Sequence, residues 1–243
     1  KFKQDKILFE SHTAHQHLLI FENSRFGRVM ALDGVIQTTT ADEFVYHEMM
    51  VHVPMCSHSN PTQILIIGGG DGGILREVLK HPSVKGVTQI EIDQEVIDIC
   101  VSYFPNHSAG SFKDPRLHLV IADGAQFLEQ NQKQFDIIIV DSTDPIGPGA
   151  KLFDSKFYSD CARALSQDGI LVTQNGVPYM QGHEVTNTFR HWRNLFKTRR
   201  FFLTPVPTYV GGAMAMGFAS KEIVDTPSID MLKSRIIDLG RLR

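Results

Sequence analysis

Cysteine is scarce. Cys56, Cys100 and Cys161 are the only three in 243 residues, and no two of them stand in a CxxC or other metal-ligand spacing. An odd, scattered set argues against a disulfide framework, fits a reducing compartment such as the cytoplasm, and leaves the thiols as buried apolar filler. No apolar run reaches the roughly 18 residues that a membrane span requires, and KFKQDKILFESH carries no apolar signal core. Blocks of like charge are missing as well. With 24 basic and 27 acidic residues the formal net charge is −3, which offers no electrostatic footprint for nucleic acid or for an anionic membrane. A charged partner, on that balance, is a small cation.

What is present is an apolar fraction of 42 %, enough to bury a full core as one domain or as one domain plus a small accessory unit. Up to residue 59 the chain reads as short strands, HLLIFEN, RVMALDG and VIQTTT, with Asp33-Gly34 as a hairpin turn. A connecting helix follows over DEFVYHEMMVHVP, with Phe44, Met49 and Val51 as its apolar positions and Pro54 as its stop. From residue 60 to 243 strands alternate with helices. Strands are expected at about 63–68, 86–92, 117–121, 135–141 and 169–174, a pattern that predicts right-handed crossovers and a mostly parallel sheet covered on both faces. A helix around 183–196 precedes RRFFLTPVPTYV and GGAMAMGFAS, which read as an antiparallel closing pair.

The chemistry gathers at the carboxyl ends of those strands, where such sheets bind ligands. Gly68, Gly70 and Gly73 satisfy GxGxxG between a strand and a helix. That motif alone is shared by dinucleotide enzymes and by enzymes that use adenosyl sulfonium compounds. Glu91 ends the next strand, where an acid takes both hydroxyls of a nucleoside ribose, and Asp123-Gly124 follows the third strand at a position suited to an adenine edge. Asp123 also suits a helix N-cap, a role compatible with ligand contact. Asp71 discriminates further, because a pyrophosphate on this turn would meet its carboxylate at close range. The ligand end near Asp71 is therefore expected to be cationic.

FDIIIVDSTDPIGPG completes the pattern. A buried strand ends in Asp141 and Asp144, with no histidine or basic side chain beside them in the chain. A nucleophilic amine of pKa near 10.4 is neutral only to about one part in a thousand at pH 7, a handicap of roughly 4 to 5 kcal/mol. Carboxylates that orient it and accept its proton supply that step. A sulfonium electrophile leaves as a neutral thioether and needs no general acid.

GRVMALDGVIQTTTADEFVYHEMMVHVP, ILIIGGGDGGILREVLKHPSV, EIDQEVI, IADGAQF and IIIVDSTDPIGPGAKLF, in this order, closely resemble the spermidine synthases, a family of polyamine aminopropyltransferases. The resemblance implies an α/β fold, a Rossmann-like methyltransferase-type sheet over 60–243 with a small N-terminal β domain over 1–59. It implies aminopropyl transfer from decarboxylated S-adenosylmethionine, a co-substrate rather than a cofactor, to putrescine, giving spermidine and 5′-methylthioadenosine. By matching position it makes Gln16, Leu32, Asp71, Glu91, Asp123, Gly124, Pro148 and Leu152 donor contacts. Asp141 matches the proton acceptor, with Asp144 and Tyr46 beside it. Tyr46, His47, Asp71, Asp141, Ser142, Thr143, Asp144, Gln174 and Tyr209 match positions around the amine. No metal is expected, since the remaining histidines, such as His12, His52 and His58, form no HExxH-type frame. A homodimer without nucleic-acid or membrane partners is expected. Two other readings stand beside this one: a methyltransferase on the same scaffold, and a non-catalytic nucleoside-binding module.

Overall fold

The computed structural model describes residues 2–142 and 147–235. Four antiparallel strands come first, β1 (Lys6–His12), β2 (His17–Asn23), β3 (Gly27–Leu32) and β4 (Val35–Thr39), lying in that order. Asp33 and Gly34 join the last two with φ of 49° and 80°, the positive pair that a two-residue hairpin requires. Strand β1 was not foreseen from the sequence. It is an edge strand with no buried residue, so KILFESH carries no clean apolar alternation.

Helix α1 (Glu43–Ser57) leads into β5 (Gln63–Gly68), α2 (Gly73–Leu79), β6 (Gly86–Glu91), α3 (Gln94–Tyr103), α4 (Pro105–Ser108) and β7 (Leu117–Ile121). There follow α5 (Gly124–Gln130), β8 (Phe135–Asp141), α6 (Ser155–Ala164), β9 (Leu165–Gln174), α7 (Pro178–His191), β10 (Thr198–Pro205), β11 (Ala213–Ser220) and α8 (Ile229–Arg235). The second sheet runs β10-β11-β9-β8-β5-β6-β7. Pairs among β9, β8, β5, β6 and β7 are parallel, and β11 is antiparallel to both its neighbours. This is the Rossmann-like arrangement expected, with the expected antiparallel closing pair.

Three expectations are corrected in detail. Pro54 does not stop α1 but lies inside it, and its carbonyl accepts from His58 N–H at 3.0 Å. The buried face of α1 is formed by Glu43, Tyr46, His47, Met50 and Val51 rather than by Phe44 and Met49, because the helix turns its polar groups toward the site. Helix α7 starts earlier than expected, at Pro178, whose fixed φ and missing N–H suit a first turn.

The central strands β5, β8 and β9 are apolar on both faces, as a doubly covered parallel sheet demands. Ile64, Ile66, Ile137, Ile139, Ile170 and Val172 pack on Met50 and Val51 of α1 and on Ile74, Leu75 and Val78 of α2. Their neighbours Leu65, Ile67, Ile138, Val140 and Leu171 face Phe157, Tyr158 and Cys161 of α6 and the indole of Trp192. The period of two splits one continuous apolar run between two cores. The first sheet lays Leu18, Ile20, Met30 and Leu32 on Val96, Cys100 and Phe104. Asp42 ties this region to the β10–β11 connection, accepting from Thr208 N–H at 3.0 Å and Thr208 Oγ1 at 2.6 Å. All three cysteines are buried and unpaired. No helix among the described residues is long and apolar enough to cross a membrane.

Candidate active site

Chain order reverses across the sheet between β5 and β8, and ligands of open α/β sheets bind at such a switch point, beyond the strand ends. The last paired residues there are Gly68 and Asp141. Gly69 N–H donates to the Asp141 carbonyl at 3.3 Å, so the glycine turn folds directly over the end of β8. Gly68 has φ of 86°, and a Cβ on it would collide with that same carbonyl oxygen. A Cβ on Gly73 would collide with the ring of His47. The glycines are thus required by the close approach of other groups as well as by the turn.

A cavity of about 1130 Å³ opens above this point. It is lined by Gln16, Leu32, Tyr46, His47, Asp71, Glu91, Asp123, Gly124, Asp141, Ser142, Leu152, Gln174 and Tyr209, so residues far apart in the chain converge on one space. Thr143 and Asp144 lie outside the described residues. Of Pro148 only its place in the 3₁₀ turn Gly147–Phe153 is described.

The individual environments differ sharply. Asp141 is half-buried, and its Oδ1 accepts from Tyr46 Oη at 2.6 Å. Burial and then repulsion from Asp71 push its carboxyl up to about 6, against the opposing pull of His47 and the Tyr46 hydroxyl. Burial, with Asp141 alongside, drives the Tyr46 phenol well above its ordinary value, so it remains a donor. Asp71 Oδ1 accepts from Gly73 N–H at 2.9 Å, and its Oδ2 lies 3.3 Å from His47 Nε2. The Asp71 carboxyl is held well below the carboxylate range because the His47 charge outweighs burial.

His47 corrects the picture of acids without a histidine. Spacing along the chain hides it, 94 residues before Asp141, but α1 brings it against Asp71. It is buried between two carboxylates, with Nδ1 at 2.7 Å from Glu43 Oε2, and these partners overcome burial and raise it to about 10. Glu43, beneath it, is a site residue that the sequence reading passed over. The usable signal was its i, i+4 spacing to His47 on one helix face.

On the other side of the cavity Glu91 Oε1 accepts from Ile92 N–H at 2.8 Å and Asp93 N–H at 3.1 Å. Burial nonetheless raises its carboxyl to about 7. A Cβ on Gly70 would sit 2.9 Å from the Glu91 Oε2 and from Val96 Cγ1, so any side chain there would have to displace both. Asp123 caps α5, its Oδ1 accepting from Ala125 and Gln126 N–H at 2.8 and 3.1 Å. Gln16 reaches Asp93 Oδ2 at 3.4 Å from the loop after β1.

Two expected site residues are committed to the scaffold. Gln174 donates to the Ser142 carbonyl at 3.0 Å and accepts from Gly176 N–H at 2.7 Å, so both ends of its carboxamide hold backbone. Tyr209 Oη donates to the Gln37 carbonyl at 2.7 Å and its ring meets Tyr46 edge-on at 6.3 Å. Ser142 Oγ is buried beside the cavity with no partner among the described residues. A second residue that the sequence reading passed over is Gln89, whose Nε2 donates to both Gly68 O and Gly69 O at 2.9 Å. It braces the glycine turn from the neighbouring strand.

Comparison with known proteins agrees with this architecture. The family model for the spermine/spermidine synthase domain matches residues 43–231, and that for the spermidine synthase tetramerisation domain matches residues 1–40. Polyamine aminopropyltransferase 1 of Pseudomonas aeruginosa is 54 % identical over 241 residues, covering 99 % of this chain and 84 % of the relative. The polyamine aminopropyltransferase of a Ruegeria species is 53 % identical over 237 residues, covering 98 % and 80 %. Among solved structures, a spermidine synthase in complex with the transition-state analogue AdoDATO superposes with a TM-score of 0.92 at 40 % identity, over 100 % of this chain and 82 % of that one. Spermidine synthase from Thermotoga maritima gives 0.88 at 37 % identity, over 100 % and 81 %. With both family models matched and more than half of all positions shared with full-length relatives, this chain belongs to the spermine/spermidine synthase family of aminopropyltransferases.

Proposed function

We propose that the enzyme is a spermidine synthase, moving the aminopropyl group of decarboxylated S-adenosylmethionine to putrescine by direct displacement with Asp141 as proton acceptor. The observation that carries this reading is the state of Asp141. It stands at the end of β8 under the glycine turn, is tethered through one oxygen to Tyr46, and has a carboxyl raised to about 6. A base of that strength is ionised at neutral pH yet binds a proton more readily than an exposed carboxylate.

In the proposed step the amine nitrogen gives its proton to Asp141, directly or through water, and its lone pair attacks the methylene carbon beside the sulfonium. The carbon–sulfur bond breaks toward sulfur, which leaves as neutral methylthioadenosine. Holding both reactants at one strand end removes the entropy cost of their encounter, and nearby carboxylates favour cationic reactants.

The donor nucleoside fits the side of the cavity lined by Glu91, Asp123, Gly124, Leu32, Leu152 and Gln16, with Pro148 proposed beside it. Glu91 takes the ribose hydroxyls through the oxygen that its backbone contacts leave open. Asp71 and Asp141 receive the cationic end, where a donor carboxylate would be repelled. The amine lies among Tyr46, His47, Ser142 and Tyr209, with Thr143, Asp144 and Gln174 completing the site as proposed contacts or supports. Self-association through the N-terminal strands is proposed as well, and sedimentation of the native protein separates a dimer from a tetramer.

The test is amine-dependent release of methylthioadenosine across a panel of diamines. Putrescine is expected to give the highest kcat/KM, and Asp141→Asn to lose at least about a hundredfold in turnover while donor still binds. Near-normal turnover in Asp141→Asn would reject the assignment of the base, and donor consumption unaffected by amines would reject the reaction.

A further inference from the structure

The proposed chemistry uses Asp71 and Asp141 but leaves open why His47 is fully enclosed with a carboxylate at each ring nitrogen. Nδ1 faces Glu43 Oε2 at 2.7 Å and Nε2 faces Asp71 Oδ2 at 3.3 Å. A neutral imidazole has one N–H and one lone pair, so one of these carboxylates would confront a lone pair in a buried setting. Only the imidazolium donates to Glu43 and at the same time turns a positive ring edge, rather than a lone pair, toward Asp71.

Glu43 is itself fixed from behind. Arg76 of α2 sets Nη2 at 2.9 Å and Nη1 at 3.3 Å from its two carboxylate oxygens, a forked pairing. The same guanidinium donates to the carbonyls of Asn106 at 2.9 Å and His107 at 2.7 Å, and its Nε to Glu77 at 2.7 Å. Glu43 therefore cannot swing away, and its carboxyl is pulled down to about 2 although burial opposes the charge. The other groups facing His47 are the ring of Tyr46 at 5.6 Å and the ring of His107 on α4 at 6.1 Å. Burial lowers His107, whose Nε2 is 3.0 Å from Thr38 Oγ1, so it adds no competing cation at neutral pH.

We propose that Glu43, braced by Arg76, is a positioning residue that keeps His47 an imidazolium clamped on Asp71, so that of the two acids at the glycine turn only Asp141 exchanges protons during turnover. Two carboxylates in one site ordinarily couple and share a proton. A permanent cation on one of them separates their roles. Asp71 becomes a fixed anion, and Asp141 titrates as the base independently of it, with Glu91 across the cavity as the remaining acid coupled to it. This inference rests on the reading of Asp141 as proton acceptor, and it adds a residue and a charge state to it.

The test combines histidine NMR with pH–rate profiles on the native enzyme and on Glu43→Gln. With ¹⁵N-labelled histidine, and His47 assigned through its bonded Cβ, the wild-type ring is expected to carry protons on both nitrogens and not to titrate between about pH 6 and 8.5. In Glu43→Gln the His47 titration is expected to move down into that window. Loss of its charge near Asp141 is expected to shift the acid limb of kcat/KM upward by about 0.5 to 1 pH unit. A merely structural Glu43 would lower the yield of active enzyme and leave both titrations in place, and that result would overturn the proposal. So would a neutral His47 in the wild-type enzyme at pH 7, a measurement that needs no variant to fold. Full turnover in Asp141→Asn would remove the base assignment while leaving the His47 spectrum unchanged, so the two failures are distinguishable.

Discussion

Tyr46 Oη donates to Asp141 Oδ1 at 2.6 Å, joining the first third of the chain to the end of β8 across 95 positions of sequence. One turn of α1 thereby holds both acids of the glycine turn, Asp141 through Tyr46 and Asp71 through His47. The hydrogen bond favours the ionised carboxylate and restrains the rise in the Asp141 pKa. Removing it in Tyr46→Phe is therefore expected to move the acid limb of kcat/KM to higher pH. A hydrogen bond to a charged group contributes about 1.5 to 3 kcal/mol, so turnover near pH 7 is expected to fall by about tenfold or more. A pH–rate profile of this variant that superposes on the wild type would show that the contact does not tune the base.

Glu91 predicts a stability effect opposite to its functional one. Its folded carboxyl, raised by burial to about 7, binds a proton more tightly than the unfolded one near 4.5, so folding loses stability as pH rises through that interval. Glu91→Gln, whose carbonyl oxygen can still accept from Ile92 and Asp93, is expected to raise the melting temperature of the ligand-free protein at pH 8 by about 2 to 6 °C. That gain should vanish at about pH 3, well below the unfolded value, where wild-type Glu91 is neutral in both states, and donor affinity should drop at every pH. Calorimetry at the two pH values measures the first and a binding titration the second.

Gly68 and Gly34 offer a controlled comparison of backbone strain with steric collision. Both have positive φ, 86° and 80°, but a Cβ meets the Asp141 backbone at Gly68 and nothing within 4 Å at Gly34. Gly34→Ala is expected to cost about 1 to 2 kcal/mol in urea unfolding, the penalty of a left-handed alanine. Gly68→Ala adds a clash with backbone that no rotamer relieves, and is expected to yield inactive or unfolded protein.

Asp42 accepts from Thr39 Oγ1 at 2.7 Å and from Thr208 N–H at 3.0 Å and Oγ1 at 2.6 Å, all buried. Asp42→Ala leaves three donors without a partner and is expected to cost about 2 to 4 kcal/mol by the urea midpoint. Because Thr208 precedes Tyr209, the amine KM is expected to rise more than the donor dissociation constant. Equal changes in both would place the loosening elsewhere.

Much of the fold was legible because the central strands β5, β8 and β9 are buried on both faces, and burial writes itself as unbroken apolar runs such as ILII and IIIV. The glycine turn, Glu91 and Asp141 were legible for a related reason: each stands at the carboxyl end of a strand, where parallel sheets bind ligands. Strand β1 escaped because an exposed edge imposes no pattern. Gln89 and the brace of Arg76 on Glu43 escaped because these contacts span 20 or more positions, Glu43 pairing with Arg76 and Gln89 with the Gly68 and Gly69 carbonyls, while the local contact of Glu43 with His47 left only an i, i+4 spacing.

The sequence by itself determined the order and type of the central elements and which acids stand at their carboxyl ends, since these follow from local periodicity and from the residue after each strand. Only the tertiary structure decided the charge on each acid. The same carboxylate falls below its ordinary range in Asp71 and rises toward neutrality in Asp141 and Glu91. The difference is set by burial and by which cation or N–H the fold brings within about 3 Å, and neither is a property of neighbouring positions in the chain.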